Sequence, residues 1–555
     1  MTGPAAPVTQ DGQYPDAGRP AATRIGIGRA AVLIGALTVL ARLLGLVRTL
    51  VFAKTVGATC LGTAYITANT LPNIVYDIVL GGALTSIMVP VLARPAARSQ
   101  TDPVATAQVR QTSSALLTWT TLILVPVSVA IALAAGPLAS LLNPVNPTQH
   151  CLRTSLVTVT RPMLAVFAPQ ILLYGLAVVL YGILQAHRRF APPALAPVIS
   201  SLIVIGAYIA FVPLGHAHVN SLTGLPLSAE LLLAVGTTAG VAALALTAVI
   251  PAWRLRVRIR PTLRFPPGVA RRVGSLAVFG IVVLVAQDAS QLAVILLANG
   301  HGTSAAIVLY QYGWQVFEAA YAVLAISISV SAFPALSVRE GAEFDQTAAG
   351  SVRAVLLMSF LGTAIVLAVA TPAAHFLASS HSQAGQLAVG FALFAPGLAG
   401  FGLVACLSRV LLADQRTRVA ASCVGAAWLI VMAADVVLVT LAPATWVVGM
   451  LGLGNTIGLT AGGLALLVAV RRARGAAALA GTGRAALSGL AAAAAGAAAG
   501  AATAVALPSG GPAADALVAL IAAACATGVF VIVAFLLDGG ALRAAVIRIR
   551  AGELR

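Results

Sequence analysis

The chain has 555 residues, of which 60% are hydrophobic and only 9% are charged, and its mean hydropathy is +0.99. Soluble domains contain about 25% charged residues, so this composition excludes a soluble protein and predicts a polytopic membrane protein. A formal net charge of +18 would suggest nucleic acid as the partner of a soluble protein. Here we expect that charge to orient the chain in a bilayer, and we predict no nucleic-acid partner.

The first 25 residues are polar and rich in proline and glycine, which predicts a disordered tail. After them, apolar runs of about 20 residues, the length that crosses a bilayer, occur about 14 times, and the last two are alanine-rich. We therefore predict an all-α polytopic membrane protein with about 14 transmembrane helices. They would form two pseudo-symmetric six-helix lobes followed by two C-terminal helices.

A run of arginines alternating with apolar residues, RLRVRIRPTLRF, separates spans six and seven. Its arginines would interact with anionic lipids of the inner leaflet. The run is either an orientation signal and hinge or a specific lipid site. The predicted units are a disordered cytoplasmic tail at 1–25, a first lobe at 26–253, the basic linker at 254–273, a second lobe at 274–470, two additional helices at 471–540 and a cytoplasmic tail at 541–555.

The loops alternate in charge. HRRF and RLRVRIRPTLRFPPGVARR are basic, whereas GHAHVNSLTG and NGHGTS contain neither arginine nor lysine. Because basic loops stay on the cytoplasmic side, we predict a multi-pass protein of a bacterial inner (plasma) membrane with both termini cytoplasmic.

A weak internal repeat supports two lobes. Span two ends with YDIVLGGALTSIMVPVLAR and span eight with FEAAYAVLAISISVSAFPALSVR. Each segment opens on an aromatic–acid pair, Tyr76–Asp77 in the first and Phe317–Glu318 in the second. Two related bundles around a central cavity are a transporter architecture, with the substrate at their interface.

The first span carries three cations at six-residue intervals, Arg42, Arg48 and Lys54. A cation at the helix centre costs about 2.5–3.5 kcal/mol on insertion scales, so it needs a functional reason. We predict that Arg42 and Arg48 flank a substrate cavity, whereas Lys54 lies near enough to the helix end to extend to the interface.

Two further helices supply polar side chains. Span two contributes Asn73 and, one turn later, Asp77, a counter-ion for the arginines in either a structural salt bridge or a gating pair. Span eight carries Gln311, Gln315 and Glu318, whose spacing predicts one polar stripe. We expect this stripe to line a pore, with hydrogen bonding between helices as the alternative.

Asp288 in span seven and Asp435 in span eleven are candidates for sharing a bound Na⁺ or a proton. No metal site or other cofactor is predicted. The five cysteines have no paired spacing, so we interpret them as small buried apolar residues and not as disulfide partners. They are Cys60, Cys151, Cys406, Cys423 and Cys525.

The chain lacks the motifs of catalysis and nucleotide binding. It contains no HExxH, and its single lysine, Lys54, does not follow a glycine as a GxxxxGK[ST] phosphate loop requires. We therefore predict that the protein is not an enzyme. Transport would be driven by the membrane potential or by a Na⁺ or H⁺ gradient.

The stretch ARLLGLVRTLVFAKTVGATCLGTAYITANTLPNIVYDIVLGGALTSIMVPVL resembles the opening of the MurJ/MviN lipid II flippases, and GILQAHRRFAPPALAPVI and FPALS match later segments of that family. The resemblance covers roughly residues 30 to 470. It implies the multidrug/oligosaccharidyl-lipid/polysaccharide exporter fold. It also implies that Arg42 and Arg48 contact the diphosphate of a lipid-linked sugar, which arginines can grip with paired hydrogen bonds.

Several positions depart from the family pattern. The family has an acid where this chain has Thr49 and Thr63, arginines in place of Tyr76 and Asp77, and an arginine in place of Gln315. With fewer cations, either the cavity holds its diphosphate differently or the chain is a divergent relative with another lipid-linked cargo.

The resulting hypothesis is a flippase that moves lipid-linked peptidoglycan precursor (lipid II) from the inner to the outer leaflet by alternating access, supporting cell-wall synthesis. Its partners would be a lipid-linked diphosphate glycan, membrane lipids and cell-wall synthesis proteins. The alternatives are an exporter of another lipid-linked glycan or of a small molecule, including a cationic drug, and a non-transporting cell-wall scaffold. The expected substrate-binding residues are Arg42, Arg48, Asn73, Asp77, Gln315 and Glu318.

Overall fold

The computed structural model describes residues 22–78, 103–187, 189, 191–254, 260–265, 269–507 and 511–550, and the regular elements within these ranges are all helical. The predicted all-α fold class is confirmed. In chain order the helices are α1 (Ala22–Thr55), α2 (Cys60–Asp77), α3 (Pro103–Leu133), α4 (Ala135–Leu142), α5 (Arg153–Ala186), α6 (Ala191–Gly215), α7 (Leu227–Arg254), α8 (Val269–His301), α9 (Ala306–Tyr321), α10 (Ser327–Val338), α11 (Gly341–Leu377), α12 (His381–Phe394), α13 (Gly397–Ala413), α14 (Thr417–Leu441), α15 (Val447–Arg474), α16 (Thr482–Ala506) and α17 (Pro512–Arg550).

Helices α1 to α7 pack against one another, and we call them the N-terminal bundle. Within it, α1 lies on α6, α2 and α3 lie on α5, and both α5 and α6 lie on α7. The start of α2 is defined by Thr59, whose side chain accepts a hydrogen bond from the Gly62 amide and so satisfies one of the free donors of the first turn.

Helices α8 to α15 form the C-terminal bundle. There α8 and α15 pack on α14, α13 packs on α15, and α11 packs on α12 and α13. A π-helical segment, Ala322–Ile326, joins α9 to α10, so the two helices make one continuous span. The predicted limits of the two lobes stay a prediction.

The last two helices, α16 and α17, pack on each other and on α11 of the C-terminal bundle. Small residues allow this close approach. A Cβ added at Gly500 would lie 2.4 Å from the Ala368 Cβ, and one added at Gly496 would lie 2.7 Å from the Ala526 carbonyl oxygen. The motif GAAAG therefore attaches α16 to both of its neighbours.

By length and hydropathy, 11 helical segments of the described residues are able to cross a membrane, or 12 if α12 and α13, bent by 42°, form one broken span. The predicted number of 14 is not confirmed. Two predicted spans are outside this set. The first falls on α1. The second falls on α2 and on residues 79–102, which lie outside the described part of the chain.

The predicted limits of the two tails and of the basic linker also stay predictions. Residues 1–21 of the predicted N-terminal tail lie outside the described residues, and α1 begins within that tail, at Ala22. The predicted C-terminal tail overlaps the last helix, because α17 continues to Arg550.

Within the basic linker, the described residues 260–265 run along α3. The Arg260 amide donates to the Ser114 hydroxyl, and the Trp119 indole donates to the Leu263 carbonyl. Residues 255–259 and 266–268 lie outside the described residues. The described part of the linker is therefore attached to the N-terminal bundle.

Candidate functional site

The two bundles enclose a cavity of about 470 Å³. Its lining comes from α1, α2, α5, α6 and α7 on one side and from α8 and α9 on the other. A cavity between two helical bundles is where transporters of this architecture bind substrate.

On α2 the cavity is lined by Asn69, Asn73 and Asp77, which are four residues apart and so share one helix face. Asn73 accepts a hydrogen bond from the Tyr174 hydroxyl, with 3.5 Å between the oxygens. Asn73 and Asp77 are predicted site residues. Asn69 is not among them, although its four-residue spacing is the signal that finds it.

On α9 the predicted stripe of Gln311, Gln315 and Glu318 lines the opposite side of the cavity. Asp77 and Glu318, the acids of the two repeat segments, are close enough for their charges to interact. The weak repeat in the sequence therefore corresponds to one polar helix face from each bundle, and both faces border one cavity.

The two predicted arginines of α1 occupy different environments. Arg48 is partly buried and lines the cavity, whereas Arg42 is exposed and is not part of the lining. Arg42 lies about 9 Å from Arg48 along the helix axis, and its charge acts on Glu318. The structure thus brings Arg48 together with the acids and amides of the site and leaves Arg42 beside them.

The two carboxylates proposed for ion coupling also differ in position. Asp288 lines the cavity, its side chain is 4% exposed, and its charge acts on Asp77. Asp435 is 0% exposed and lies within the C-terminal bundle, where a Cβ added at Gly454 would be 1.9 Å from its Oδ1. Neither oxygen of Asp435 has a hydrogen-bond partner among the described residues.

The cavity lining contains more negative than positive side chains. Its described residues include one arginine, Arg48, and three carboxylates, so they carry a formal charge of −2 when all four groups are ionised. Within the described residues these groups make no ion pairs, and the ion pairs found there cluster at the ends of α11, α13 and α15. The cavity carboxylates are Asp77, Asp288 and Glu318, and the clustered ion-pair residues are Asp345, Asp414, Arg416 and Arg474.

An aromatic cluster, which is not among the predicted site residues, borders one end of the cavity. The Phe52 ring contacts three tyrosine rings, with centroids 5.4 Å away for Tyr65, 5.3 Å for Tyr208 and 6.5 Å for Tyr312. The Tyr65 hydroxyl is also 2.8 Å from both the Tyr208 and Thr237 hydroxyls. Because Tyr312 belongs to α9, the cluster joins the two bundles, and only the tertiary fold reveals it.

Beyond the aromatic cluster, the bundles are held together by residues 143–150, which we call the latch. The Asn146 side chain donates to the carbonyls of Asn299 and Gly302, at 2.9 Å each. The Gln149 side chain donates to the Asn299 carbonyl at 3.0 Å, and the His150 amide donates to the Ser304 hydroxyl at 2.8 Å. The loop before α5 in the N-terminal bundle is therefore bonded to the α8–α9 junction in the C-terminal bundle.

A disulfide between Cys60 and Cys151 anchors the latch, with the Cα atoms 5.6 Å apart. The prediction that the cysteines are unpaired apolar residues is wrong for these two. They are separated by 91 residues in sequence, and only the packing of α2 against the start of α5 brings them together. Cys151 directly follows His150, so the bond ties the end of the latch to the first residue of α2.

Within the cavity lining, a further hydrogen bond crosses between the bundles. The Thr49 hydroxyl of α1 donates to the side-chain oxygen of Gln315 on α9. Both positions depart from the family pattern, in which an acid and an arginine stand there. The two departures are in contact through this hydrogen bond.

The family model described as Lipid II flippase MurJ matches residues 52–509. The lipid II flippase MurJ of Burkholderia cenocepacia is 28% identical over 185 residues, covering 33% of this chain and 34% of that protein. The probable lipid II flippase MurJ of Synechocystis is 29% identical over 234 residues, 40% of each protein. These matches span between about a third and two fifths of the curated relatives.

The fold is similar to solved transporter structures. A lipid II flippase MurJ in an inward closed conformation superposes with a TM-score of 0.69 at 16% identity, covering 91% of this chain and 99% of that one. An inward-facing multidrug resistance MATE family transporter of the MOP superfamily superposes with a TM-score of 0.62 at 13% identity, covering 80% of this chain and 98% of that one. At these identities the likeness concerns the fold.

Proposed function

The chain belongs to the MurJ lipid II flippase family, and on that premise we propose that it moves lipid II from the inner to the outer leaflet by alternating access. The observation that carries the proposal is the cavity between the bundles, with Arg48 in its lining and the latch bonding the bundles beyond one end. An intramembrane arginine without an ion-pair partner among the described residues suits a diphosphate group, which it can bind through two hydrogen bonds.

We further propose that the protein lies in the bacterial plasma membrane with both termini in the cytoplasm and the latch on the outer side. The alternation of basic and uncharged loops supports this orientation. The disulfide between Cys60 and Cys151 supports it independently, because disulfides persist in oxidising, extracytoplasmic compartments.

In this mechanism the lipid II head group enters the cavity from the cytoplasmic side while the latch keeps the outer side closed. Arg48 holds the diphosphate, and the amides of Asn73 and Gln315 and the carboxylates of Asp77 and Glu318 surround the head group. Arg42 contacts the diphosphate as the head group enters the cavity, since it lies outside the lining but beside Glu318. The two bundles then move relative to each other, and the latch contacts break.

Energy for this cycle would come from the membrane potential or from a Na⁺ or H⁺ gradient, with no catalytic step. Asp288 and Asp435 remain the candidate coupling residues. Since one borders the cavity and the other is enclosed in the C-terminal bundle, we propose that they respond separately to the coupling ion. Membrane lipids and cell-wall synthesis proteins are the proposed partners, with no nucleic acid.

A second candidate function is export of a cationic small molecule. The observation that favours it is the excess of carboxylates in the lining, where three acids accompany one arginine. Arg48 opposes it, because an arginine at the centre of the site repels a cationic cargo. Export of another lipid-linked diphosphate glycan uses the same chemistry as lipid II and differs only in the sugar.

The test is depletion of the protein in its host, with rescue by wild type, Arg48→Ala or Arg161→Ala. Arg161 is a matched control, because it is also an arginine within a membrane-spanning helix but lies outside the cavity lining. We expect depletion to accumulate lipid II on the cytoplasmic side and to lower outer-leaflet lipid II, with rescue by wild type and Arg161→Ala only.

An unchanged lipid II distribution on depletion would contradict the lipid II assignment. If depletion then increases sensitivity to lipophilic cations, and if Asp77→Asn fails to restore resistance, the cationic cargo is the better assignment.

A further inference from the structure

The charge of the cavity lining conflicts with a diphosphate cargo unless something else binds. A diphosphate diester is dianionic, and the lining offers it one arginine and three carboxylates. Like charges a few ångströms apart repel each other strongly in a site that is partly shielded from water, so each additional carboxylate near the phosphates is unfavourable. Arg48 is the one arginine among the described lining residues, and Arg42, whose charge acts on Glu318, lies outside the lining.

Among the described residues, these carboxylates form no ion pairs. Asp77 interacts electrostatically with both Glu318 and Asp288. Asp288 is the second, independent indication of a ligand, because it is more than nine-tenths buried, lines the cavity, and leaves its Oδ2 atom without a hydrogen-bond partner. A buried carboxylate in this condition needs a cation or a proton close by.

Building on the proposed function, we propose that the cavity binds its diphosphate cargo together with a divalent cation, held between the carboxylates of Asp77, Asp288 and Glu318 and the phosphate oxygens. Mg²⁺ suits this role, because it keeps several waters and usually takes one or two carboxylates plus substrate phosphates. Arg48 binds the remaining phosphate oxygens.

The geometry is consistent with a site that the cargo completes. Among the described residues, no three Asp, Glu, His or Cys side chains lie close enough to hold a metal ion by themselves. The three carboxylates line one cavity of about 470 Å³ without forming such a group. The empty cavity therefore binds the cation weakly, and the diphosphate oxygens supply the missing ligands.

The first arm of the test uses the wild-type chain in lipid nanodiscs and geranyl diphosphate as the probe. Binding is measured by calorimetry in EDTA and in excess Mg²⁺, with Mn²⁺ replacing Mg²⁺ for detection by electron paramagnetic resonance. We expect binding that is tighter by about tenfold or more with the cation, a difference of about 1.4 kcal/mol or more. We also expect Mn²⁺ to be immobilised only when the probe is present.

The second arm uses the double variant Asp77→Asn with Glu318→Gln, which retains size and hydrogen bonding but removes two charges. We expect its binding of geranyl diphosphate in EDTA to be tighter than that of the wild type, and its dependence on Mg²⁺ to disappear. The matched control is Glu230→Gln, which removes a carboxylate that is 8% exposed in α7 and outside the cavity lining. This control keeps the wild-type Mg²⁺ dependence.

Equal binding of the probe by wild type in EDTA and in Mg²⁺ would overturn the divalent-cation site and leave the proposed function intact. Tight cation-dependent binding that the double variant retains unchanged would overturn the assignment to these carboxylates. No binding of the probe under either condition would overturn the proposed diphosphate cargo, and the cation site with it.

Discussion

The two ends of the interface between the bundles are built from opposite chemistry. At the latch end the amides of Asn146 and Gln149 are bonded to carbonyls of the other bundle, a disulfide fixes the loop, and aromatic rings fill the space below. Deeper along α2, roughly 25 Å beyond Cys60 at 1.5 Å per residue, Asp77 and its neighbours face a cavity and make no ion pairs among the described residues.

This difference separates contacts that stabilise one arrangement of the bundles from polar groups that a bound ligand would satisfy. In the latch, the side-chain amides of Asn146 and Gln149 donate to carbonyls of the other bundle, so the latch stabilises one arrangement of the bundles. Each latch hydrogen bond contributes only about 0.5–1.5 kcal/mol net, so the set can break during a rocking motion of the bundles. The cavity leaves charged groups without protein partners, and such groups in a membrane protein mark a substrate pathway.

The largest expected effect on lipid II transport comes from replacing Arg48, the one arginine among the described lining residues. Arg48→Ala should lower the rate of lipid II flipping by about tenfold to a hundredfold, because hydrogen bonds to a charged group contribute about 1.5–3 kcal/mol. Fluorescent lipid II in proteoliposomes measures the rate. Arg48→Lys retains the charge without the planar pair of donors and should lie between wild type and Arg48→Ala. A lysine variant as slow as the alanine variant would argue against a charge contact.

The next effect comes from releasing the anchor of the latch. Replacing both Cys60 and Cys151 by alanine should lower the free energy of unfolding by about 2–4 kcal/mol and increase the population in which the latch end is open. Thermal unfolding measures the first change, and spin-label distances between the bundles measure the second. Cys525→Ala, at an unpaired cysteine of α17, is the control. Identical distance distributions in wild type and in the variant without Cys60 and Cys151 would show that the disulfide does not hold the latch.

A smaller effect is expected from the latch hydrogen bonds themselves. Asn146→Ala removes two bonds to carbonyls of the C-terminal bundle and should favour the open latch by about 1–3 kcal/mol. The same spin-label distances report it. Thr440→Ala is the control, because its hydroxyl is exposed and bonds only within α14. Labels that stay at the wild-type distance in Asn146→Ala would contradict a role for the latch in closure.

The smallest effect concerns the hydrogen bond between Thr49 and Gln315 in the cavity lining. In a double-mutant cycle, Thr49→Val and Gln315→Leu should show a coupling of about 0.5–1.5 kcal/mol in the equilibrium between open and closed latch, since the residues are in contact. The pair Thr49→Asp with Gln315→Arg should be closer to wild type than either single change. If the effects of Thr49→Val and Gln315→Leu are additive, the contact contributes no coupling energy.

Much of the site was visible in the residue pattern. Residues three or four apart on a helix share a face whatever surrounds the helix, so the stripe from Gln311 to Glu318 and the pair Asn73 and Asp77 could be assigned from spacing alone. The aromatic cluster and the cysteine pair could not, because their members come from distant parts of the chain. Arg42 and Arg48 lie six residues apart on one helix, and which of them borders the cavity depends on the helices that surround it.

The sequence by itself determined the all-α membrane class and the polar helix faces, because hydropathy and helical periodicity act locally along the chain. Its resemblance to known segments indicated the family. Only the tertiary structure decided which faces meet. It joined Cys60 to Cys151, bonded the latch to the α8–α9 junction, and placed three carboxylates around one arginine. These features depend on how helices from two bundles pack against each other, and that packing is set by contacts between residues far apart in sequence.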